Sequence, residues 1–209
     1  MQQSNMIRVL IADDHAIMRQ GLAALLEQEP DITVVAKASN GQEALTMFRQ
    51  YQPDVTLMDV RIAQMDGVEA ITALCTEFEA ARIVVFTAYD GDEHIYRGLR
   101  AGGKSYLLKD TEPDELFLAI RTVVSGKKYI PSAVGAKLAA RIDNAQLSDR
   151  ELQVIRSIVT GKCNHEISQF LHISESTVKF HINNILGKLG VSDRTQAAIS
   201  ALKRGIVSL

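Results

Sequence analysis

The amino-acid sequence predicts an α/β fold, five β-then-α units forming a doubly wound parallel sheet, followed by an all-α domain of four helices. Three observations carry this. Short branched apolar runs alternate with amphipathic stretches through residue 126. Two of those runs stop at acidic residues: Ile7-Arg8-Val9-Leu10-Ile11-Ala12 before Asp13-Asp14, and Val55-Thr56-Leu57-Met58 before Asp59. Beyond residue 146 the apolar spacing is helical throughout. Runs that are apolar on every position and end abruptly are the pattern of parallel strands buried on both faces. Their alternation with helices calls for a parallel sheet covered on both sides.

In chain order the units are strand 7–12 with helix 16–27, strand 32–38 with helix 41–51, strand 55–58 with helix 68–78, strand 82–87 with helix 93–101, and strand 105–108 with helix 114–125. Thr111 is the expected cap of the last helix, with Asp114 in its first turn and Gly126 as its stop. The first domain is therefore 1–126. Residues 127–146 read as a linker holding a short helix, with too little Gly and Ser for much slack. The second domain, 147–209, opens on Ser148 and Glu151, a capping box, with Leu147 and Leu152 placed to staple it. Its helices are 149–160, stopped by Gly161; 164–171; 175–189, stopped by Gly190; and 193–204, capped by Ser192. Only His172-Ile173-Ser174 separates the second from the third, the spacing of a helix-turn-helix.

Hydrophobic content of 46% is ample for packed cores. The net charge of −2 hides a split: residues 1–126 hold 11 Lys and Arg against 19 Asp and Glu, net −8, whereas 127–209 hold 12 against 6, net +6. Only the second half suits a polyanion. Cys75 and Cys163 are too few for a metal set or a disulfide framework, so reduced thiols are expected. No apolar stretch approaches the roughly 18 residues of a membrane span, and the start lacks a signal-peptide core. The expected location is cytoplasmic, with no membrane partner.

Strands of an open parallel sheet deliver whatever follows them to one crevice at their carboxyl ends. Asp13, Asp14, Asp59, Thr87 and Lys109 all stand at the ends of apolar runs. Gathered carboxylates repel one another unless a hard cation takes their oxygens, and few ligands with retained waters fits Mg²⁺. A carboxylate can itself be a nucleophile and form an aspartyl phosphate. The transferring phosphoryl group then needs positive charge and donors on its oxygens, which the metal, Lys109 and Thr87 provide. Taken singly, each residue has a plainer reading: a helix cap, a turn hydroxyl, a solvated charge. Their joint order and spacing is what argues for the pocket; His15 is given no role.

These residues together resemble the receiver domain of two-component response regulators, a flavodoxin-like fold, over residues 7–126. The resemblance implies that Asp59 is the phosphoacceptor, and that Asp14, Asp59 and the main-chain carbonyl of Arg61 touch Mg²⁺ while Asp13 acts largely through water. It also implies that Thr87 and Lys109 contact the phosphoryl group, and that Tyr106 is an aromatic switch swinging inward when Thr87 is drawn toward it. Two departures stand out. Ala63 occupies a place where the family usually has Pro, which should loosen the loop, and Asp110 follows Lys109 where many receivers have Pro. Arg61 and Tyr89, two residues past Asp59 and Thr87, sit where water access would be tuned.

In helix 175–189, at about 100° per residue, Val178, Ile182, Ile185 and Leu189 share a core face. Ser176, Phe180, Asn183, Asn184 and Gly187 lie opposite, with Lys179 and Lys188 on the flanks. Leu147-Ser148-Asp149-Arg150-Glu151, Gly161, Asn164-His165-Glu166-Ile167, Ser174-Glu175-Ser176-Thr177-Val178-Lys179, His181 and Lys188-Leu189-Gly190-Val191 resemble the LuxR-type helix-turn-helix. By that resemblance helix 175–189 enters the major groove, with Lys179, Phe180 and Asn183 facing base edges. Ser176, Thr177 and Lys188 are expected on phosphates. His165 stands where the family usually has Lys. The surface of Ala197, Ala198, Ala201 and Leu202 would be a DNA-bound dimer contact, with core packing as the plainer account.

The whole resembles the NarL/FixJ class of response regulators, which are not enzymes. It implies that a histidine kinase phosphorylates Asp59 and that a homodimer binds double-stranded promoter DNA to regulate transcription, with RNA polymerase as a further partner. One alternative is a constitutive DNA-binding regulator whose receiver serves mainly as a dimerisation platform. Another is an aspartate-nucleophile phosphohydrolase, which would need a second Asp where Arg61 stands. The charge split also predicts that the acidic domain restrains the basic one until phosphorylation.

Overall fold

A computed structural model describes residues 6–143 and 145–207. The chain divides into two compact units. The first is built on the parallel strands β1 (Ile7–Ala12), β2 (Ile32–Ala38), β3 (Val55–Met58), β4 (Ile83–Thr87) and β5 (Ser105–Leu108), in the order β2-β1-β3-β4-β5. Each is followed by a helix: α1 (Ala16–Leu26), α2 (Gly41–Tyr51), α3 (Gly67–Glu77), α4 (Asp92–Arg100) and α5 (Pro113–Val124). Every residue of β3 and β4 is buried, which is why those segments read as unbroken runs. Val9, Ile11, Leu57, Val84 and Phe86 pack with Leu22 and Leu26 of α1 and with Leu116, Phe117 and Ile120 of α5. Their neighbours in sequence, Leu10, Met58 and Val85, are buried too, as the two-residue period of a strand requires when both faces are covered. Full burial of each such side chain stabilises by about 1.5–3 kcal/mol, so the sheet is a stiff frame for what its ends carry.

The strand order reverses direction between β1 and β3, and a crevice opens beyond the carboxyl ends at that point. Register fixes what enters it. Ala12 pairs with Met58, so Asp13 and Asp59 come one step further on adjacent strands. The ladder also runs past the strands: the Asp59 amide donates to the Ala12 carbonyl at 2.9 Å and the Lys109 amide to the Thr87 carbonyl at 2.8 Å.

One expected cap is corrected in this unit. Helix α5 has Glu112, not Thr111, at its N-cap, with no side-chain cap bond and Pro113 in the first turn. The ring presets φ for helix and removes one of the unpaired amides of the first turn, while the Glu115 amide donates to the Glu112 carbonyl at 3.1 Å.

A twelve-residue helix, α6 (Ser132–Asp143), occupies most of the connecting segment. The helical unit then contains α7 (Asp149–Val159), α8 (Asn164–Leu171), α9 (Glu175–Leu189) and α10 (Arg194–Lys203). The capping box is present, with the Ser148 amide donating to the Glu151 carboxylate at 2.7 Å. Val154, Ile155, Ile158, Ile167, Val178, Ile185, Ala197 and Ala201 form the core. The turn between α8 and α9 is made by His172 at φ 53°, a left-handed position where Gly or Asn is usual, then Ile173 and Ser174. Ser174 caps α9 by accepting from the Thr177 amide at 3.1 Å. Asp193, not Ser192, caps α10, accepting from the Gln196 amide at 2.8 Å. Both cysteines are free thiols. Among the described residues, no helix is long and apolar enough to cross a membrane.

Candidate functional site

At the carboxyl ends of β1, β3, β4 and β5 the side chains converge on Asp59. Its carboxylate accepts on both oxygens: Oδ1 from the Thr87 hydroxyl at 2.7 Å and the Arg61 amide at 3.1 Å, Oδ2 from the Lys109 ammonium at 2.6 Å. The same ammonium reaches Asp13 Oδ2 at 2.6 Å. Lys109, Asp13 and Asp59 keep only 12%, 3% and 4% of their side-chain surface. Burial works against charge on Lys109, but its bonds to Asp13 and Asp59 outweigh that and hold its pKa above the ordinary lysine range. Asp14 lies further out, one-third exposed, paired with His15 Nδ1 at 2.8 Å. Asp13, Asp14, His15 and Asp59 each present a ligand atom within 4.8 Å of the others. Three carboxylates facing one ammonium leave uncompensated negative charge, and the hard oxygens with one exposed member suit a divalent cation.

The shoulders of this pocket are made by side chains from two loops. Arg61 places its guanidinium 4.9 Å from the centre of the Tyr89 ring, a cation-π contact. The Tyr89 carbonyl accepts from the Tyr106 hydroxyl at 2.7 Å. Tyr106 itself is fully buried, its ring so close to α4 that a Cβ on Gly98 would stand 3.2 Å from it. Burial, with the charge of Asp59 behind it, pushes the Tyr106 phenol above its usual range. The loop after Asp59 has Gln64 at φ 68° and closes where the Gly67 amide donates to the Val60 carbonyl at 3.1 Å. A Cβ on Gly67 would stand 2.0 Å from the Asp59 carbonyl oxygen.

In the helical unit the expected outward face of α9 is in the open. Phe180 is 61% exposed, and Ser176, Lys179 and Asn183 are exposed beside it. Val178 and Ile185 turn inward and are fully buried. Thr177 is half-buried, its hydroxyl 2.8 Å from Ser174 Oγ, and Ser174 Oγ is 2.7 Å from Ser176 Oγ. His165 bonds through Nδ1 to Glu175 at 2.9 Å, tying the start of α8 to the start of α9.

Residues 9–121 match the family described as the response regulator receiver domain, and residues 145–201 match bacterial regulatory proteins of the luxR family. The chain is a luxR-family response regulator. It is 43% identical to the transcriptional regulatory protein LiaR of Bacillus subtilis (strain 168), over 97% of this chain and all of that one. It is 35% identical to the response regulator protein VraR of Staphylococcus aureus (strain MRSA252), over 96% of this chain and 99% of that one. Among solved structures, a complex of the two-component response regulator RcsB with DNA aligns at TM-score 0.73 and 26% identity, over 95% of this chain and 99% of that one. These relatives are regulators of transcription rather than enzymes, which sets aside the phosphohydrolase reading.

Within this response regulator, the receiver pocket gathers Asp13, Asp59, Thr87 and Lys109 as the strand ends implied, with Asp14 at the rim. His15 was missed as a neighbour of the carboxylates, although its adjacency to Asp13-Asp14 was the signal. Lys188 differs from expectation. Its ammonium bonds the buried Glu151 carboxylate at 2.6 Å instead of standing free for a phosphate. Glu151 thus joins two helices: it receives the Ser148 amide that starts α7, and it holds α9 through Lys188. Desolvation would raise the Glu151 pKa, but Lys188 and Ser148 prevail and lower it. Ala197 and Ala201, considered for a dimer surface, are buried in the core; the exposed apolar residue of α10 is Ile199.

Proposed function

We propose that this response regulator accepts a phosphoryl group from a histidine kinase on Asp59 and, so modified, binds promoter DNA as a dimer in the cytoplasm. The observation that supports the chemistry best is the grip on Asp59: Thr87 on one oxygen, Lys109 on the other. An Asp59 oxygen attacks phosphorus, a P–O bond forms, the P–N bond to the kinase histidine breaks, and the imidazole leaves with the electron pair. Thr87 and Lys109 then transfer their hydrogen bonds from the carboxylate to the phosphoryl oxygens, where negative charge has arrived. Asp13, Asp14, Asp59 and the main-chain carbonyl of Arg61 would hold Mg²⁺, which when bound supplies further positive charge beside the acceptor. Movement of Thr87 toward the phosphoryl group carries the signal to Tyr106, whose hydroxyl anchors the loop after β4 through Tyr89.

On the output side, Lys179, Phe180 and Asn183 read base edges, and Ser176 and Thr177 position the helix on phosphates. Lys188 is assigned to bracing α9 rather than to DNA. Domains 1–126 and 147–209, joined by 127–146, are the working parts, and RNA polymerase is the machinery on which a promoter-bound form acts. Intact-mass measurement with Mg²⁺ and phosphoramidate tests the reading. One phosphoryl group should be gained, lost in base, and absent from Asp59→Asn and from samples in EDTA. Undiminished labelling of Asp59→Asn overturns it.

A further inference from the structure

One groove belongs neither to the acidic pocket nor to the outward face of α9. It lies in the output domain between α7 and the end of α8, has a volume of about 600 Å³, and is walled by Arg150, Arg156, Thr160, Lys162, Phe170 and Leu171 with no Asp or Glu among its lining residues. Its polar wall comes from the side of α7 opposite the core residues Val154, Ile155 and Ile158. Arg150 closes one end by donating to the Leu171 carbonyl at 2.7 Å. Arg156 is exposed and makes no ion pair among the described residues. Phe170 is 63% exposed although Ile167, three residues earlier, is fully buried. The Lys162 ammonium sits 5.4 Å from the Phe170 ring centre.

Cations with no acid in the groove bonded to them, set around a phenyl ring in water, make a surface that is incomplete alone. We infer that this groove docks an acidic segment of a partner protein carrying an apolar side chain, its carboxylates on Arg156 and Lys162 and its apolar group on Phe170. Charge complementarity selects the acid. The exposed Phe170 ring, with Leu171 beside it, favours a protein segment over a phosphodiester backbone, which has no apolar group to offer. No outward residue of α9 lines the groove, so it is open for docking while α9 is engaged with DNA. This rests on the assignment of α9 as the DNA face.

The test uses the full-length ¹⁵N-labelled protein and two short synthetic peptides: one of Asp and Glu interleaved with Leu and Phe, the other with Ser in place of the apolar residues. The first should shift the amides of Thr160, Leu171 and their neighbours while those of Lys179 and Asn183 stay in place. Binding should weaken about tenfold for the Ser peptide, and about tenfold for each of Arg156→Gln, Lys162→Gln and Phe170→Ser. The two Gln variants should keep the salt slope of duplex DNA binding. If the slope becomes shallower by about one per substitution, these cations touch phosphates and the inference is wrong. It is equally wrong if the acidic-apolar peptide moves no groove amide. Failure of the underlying assignment has a different signature, DNA affinity indifferent to Lys179→Ala.

Discussion

The acidic pocket and the outward face of α9 put polar groups to opposite use. In the pocket, Asp13, Asp59 and Thr87 are buried, Lys109 is mostly covered, and the four are bonded to one another before any partner arrives. On α9, Lys179, Phe180 and Asn183 stand in water with their bonding capacity unspent. A group that must meet a small, highly charged ligand in one geometry is held in place ahead of time, and folding bears the desolvation cost. A group that must fit a long polymer is left hydrated, and binding bears that cost instead. The first kind of site should therefore be coupled to stability and the second kind almost not at all.

The largest expected effect tests the first half of that statement. Lys109→Ala leaves two buried carboxylates facing each other, and should destabilise the receiver by about 2–3 kcal/mol in urea titration, with Mg²⁺ restoring part of the loss. The pKa of Lys109 is raised in the folded state, so its contribution is fully present below the unfolded lysine value and fades as pH rises through the folded one. The wild-type excess in stability over Lys109→Ala should accordingly be flat at neutral pH and shrink only in strong alkali.

Glu151→Ala should come next, at about 2 kcal/mol, because Lys188 and the Ser148 amide both lose their partner. Here the sign reverses. The Glu151 pKa is lowered on folding, so its stabilisation is present above the ordinary glutamate range and is lost as pH falls through the folded value. Acid titration of Glu151→Gln should show a weaker pH dependence below that point than the wild type.

Lys179→Ala and Phe180→Ala probe the other side of the contrast. Each should weaken operator binding by about tenfold while changing unfolding free energy by less than about 0.5 kcal/mol. A stability loss well above that at Phe180 would break the distinction, since it would mean the ring is packed rather than waiting. The smallest expected effect is at His172, whose left-handed backbone suits glycine better. His172→Gly should shift stability by no more than about 0.5 kcal/mol, strain relief offsetting added unfolded-state entropy.

Much of this architecture was legible from residues 1–209 alone, and for one reason. Strands buried on both faces announce their limits, so β1, β3 and β5 and the residues after them were placed by apolar runs cut off at Asp13, Asp59 and Lys109. Local caps were harder. Ser192 and Asp193 are adjacent candidates with equivalent chemistry, and only the backbone decides which oxygen faces the Gln196 amide. Lys188 was misplaced because a helical wheel shows which flank a side chain leaves from and not where a long chain ends. Its partner is 37 residues away. The groove beside Phe170 left no periodic trace at all, because its walls come from separate helices and its defining trait is a missing acid.

The Gly67 contact bears on how this sequence can change over time. The loop was expected to be loose for want of a proline at Ala63, yet its base is clamped where Gly67 meets the backbone of Asp59 with no room for a side chain. That obstacle is main chain, so no neighbour can rotate aside to admit even a methyl group. A saturation scan scored for signalling should show position 67 tolerating glycine alone, while Gln64, with a side chain already accommodated at positive φ, tolerates glycine and asparagine readily. Variation in this loop is thus channelled toward its crown and barred from its foot, however freely the proline position itself drifts.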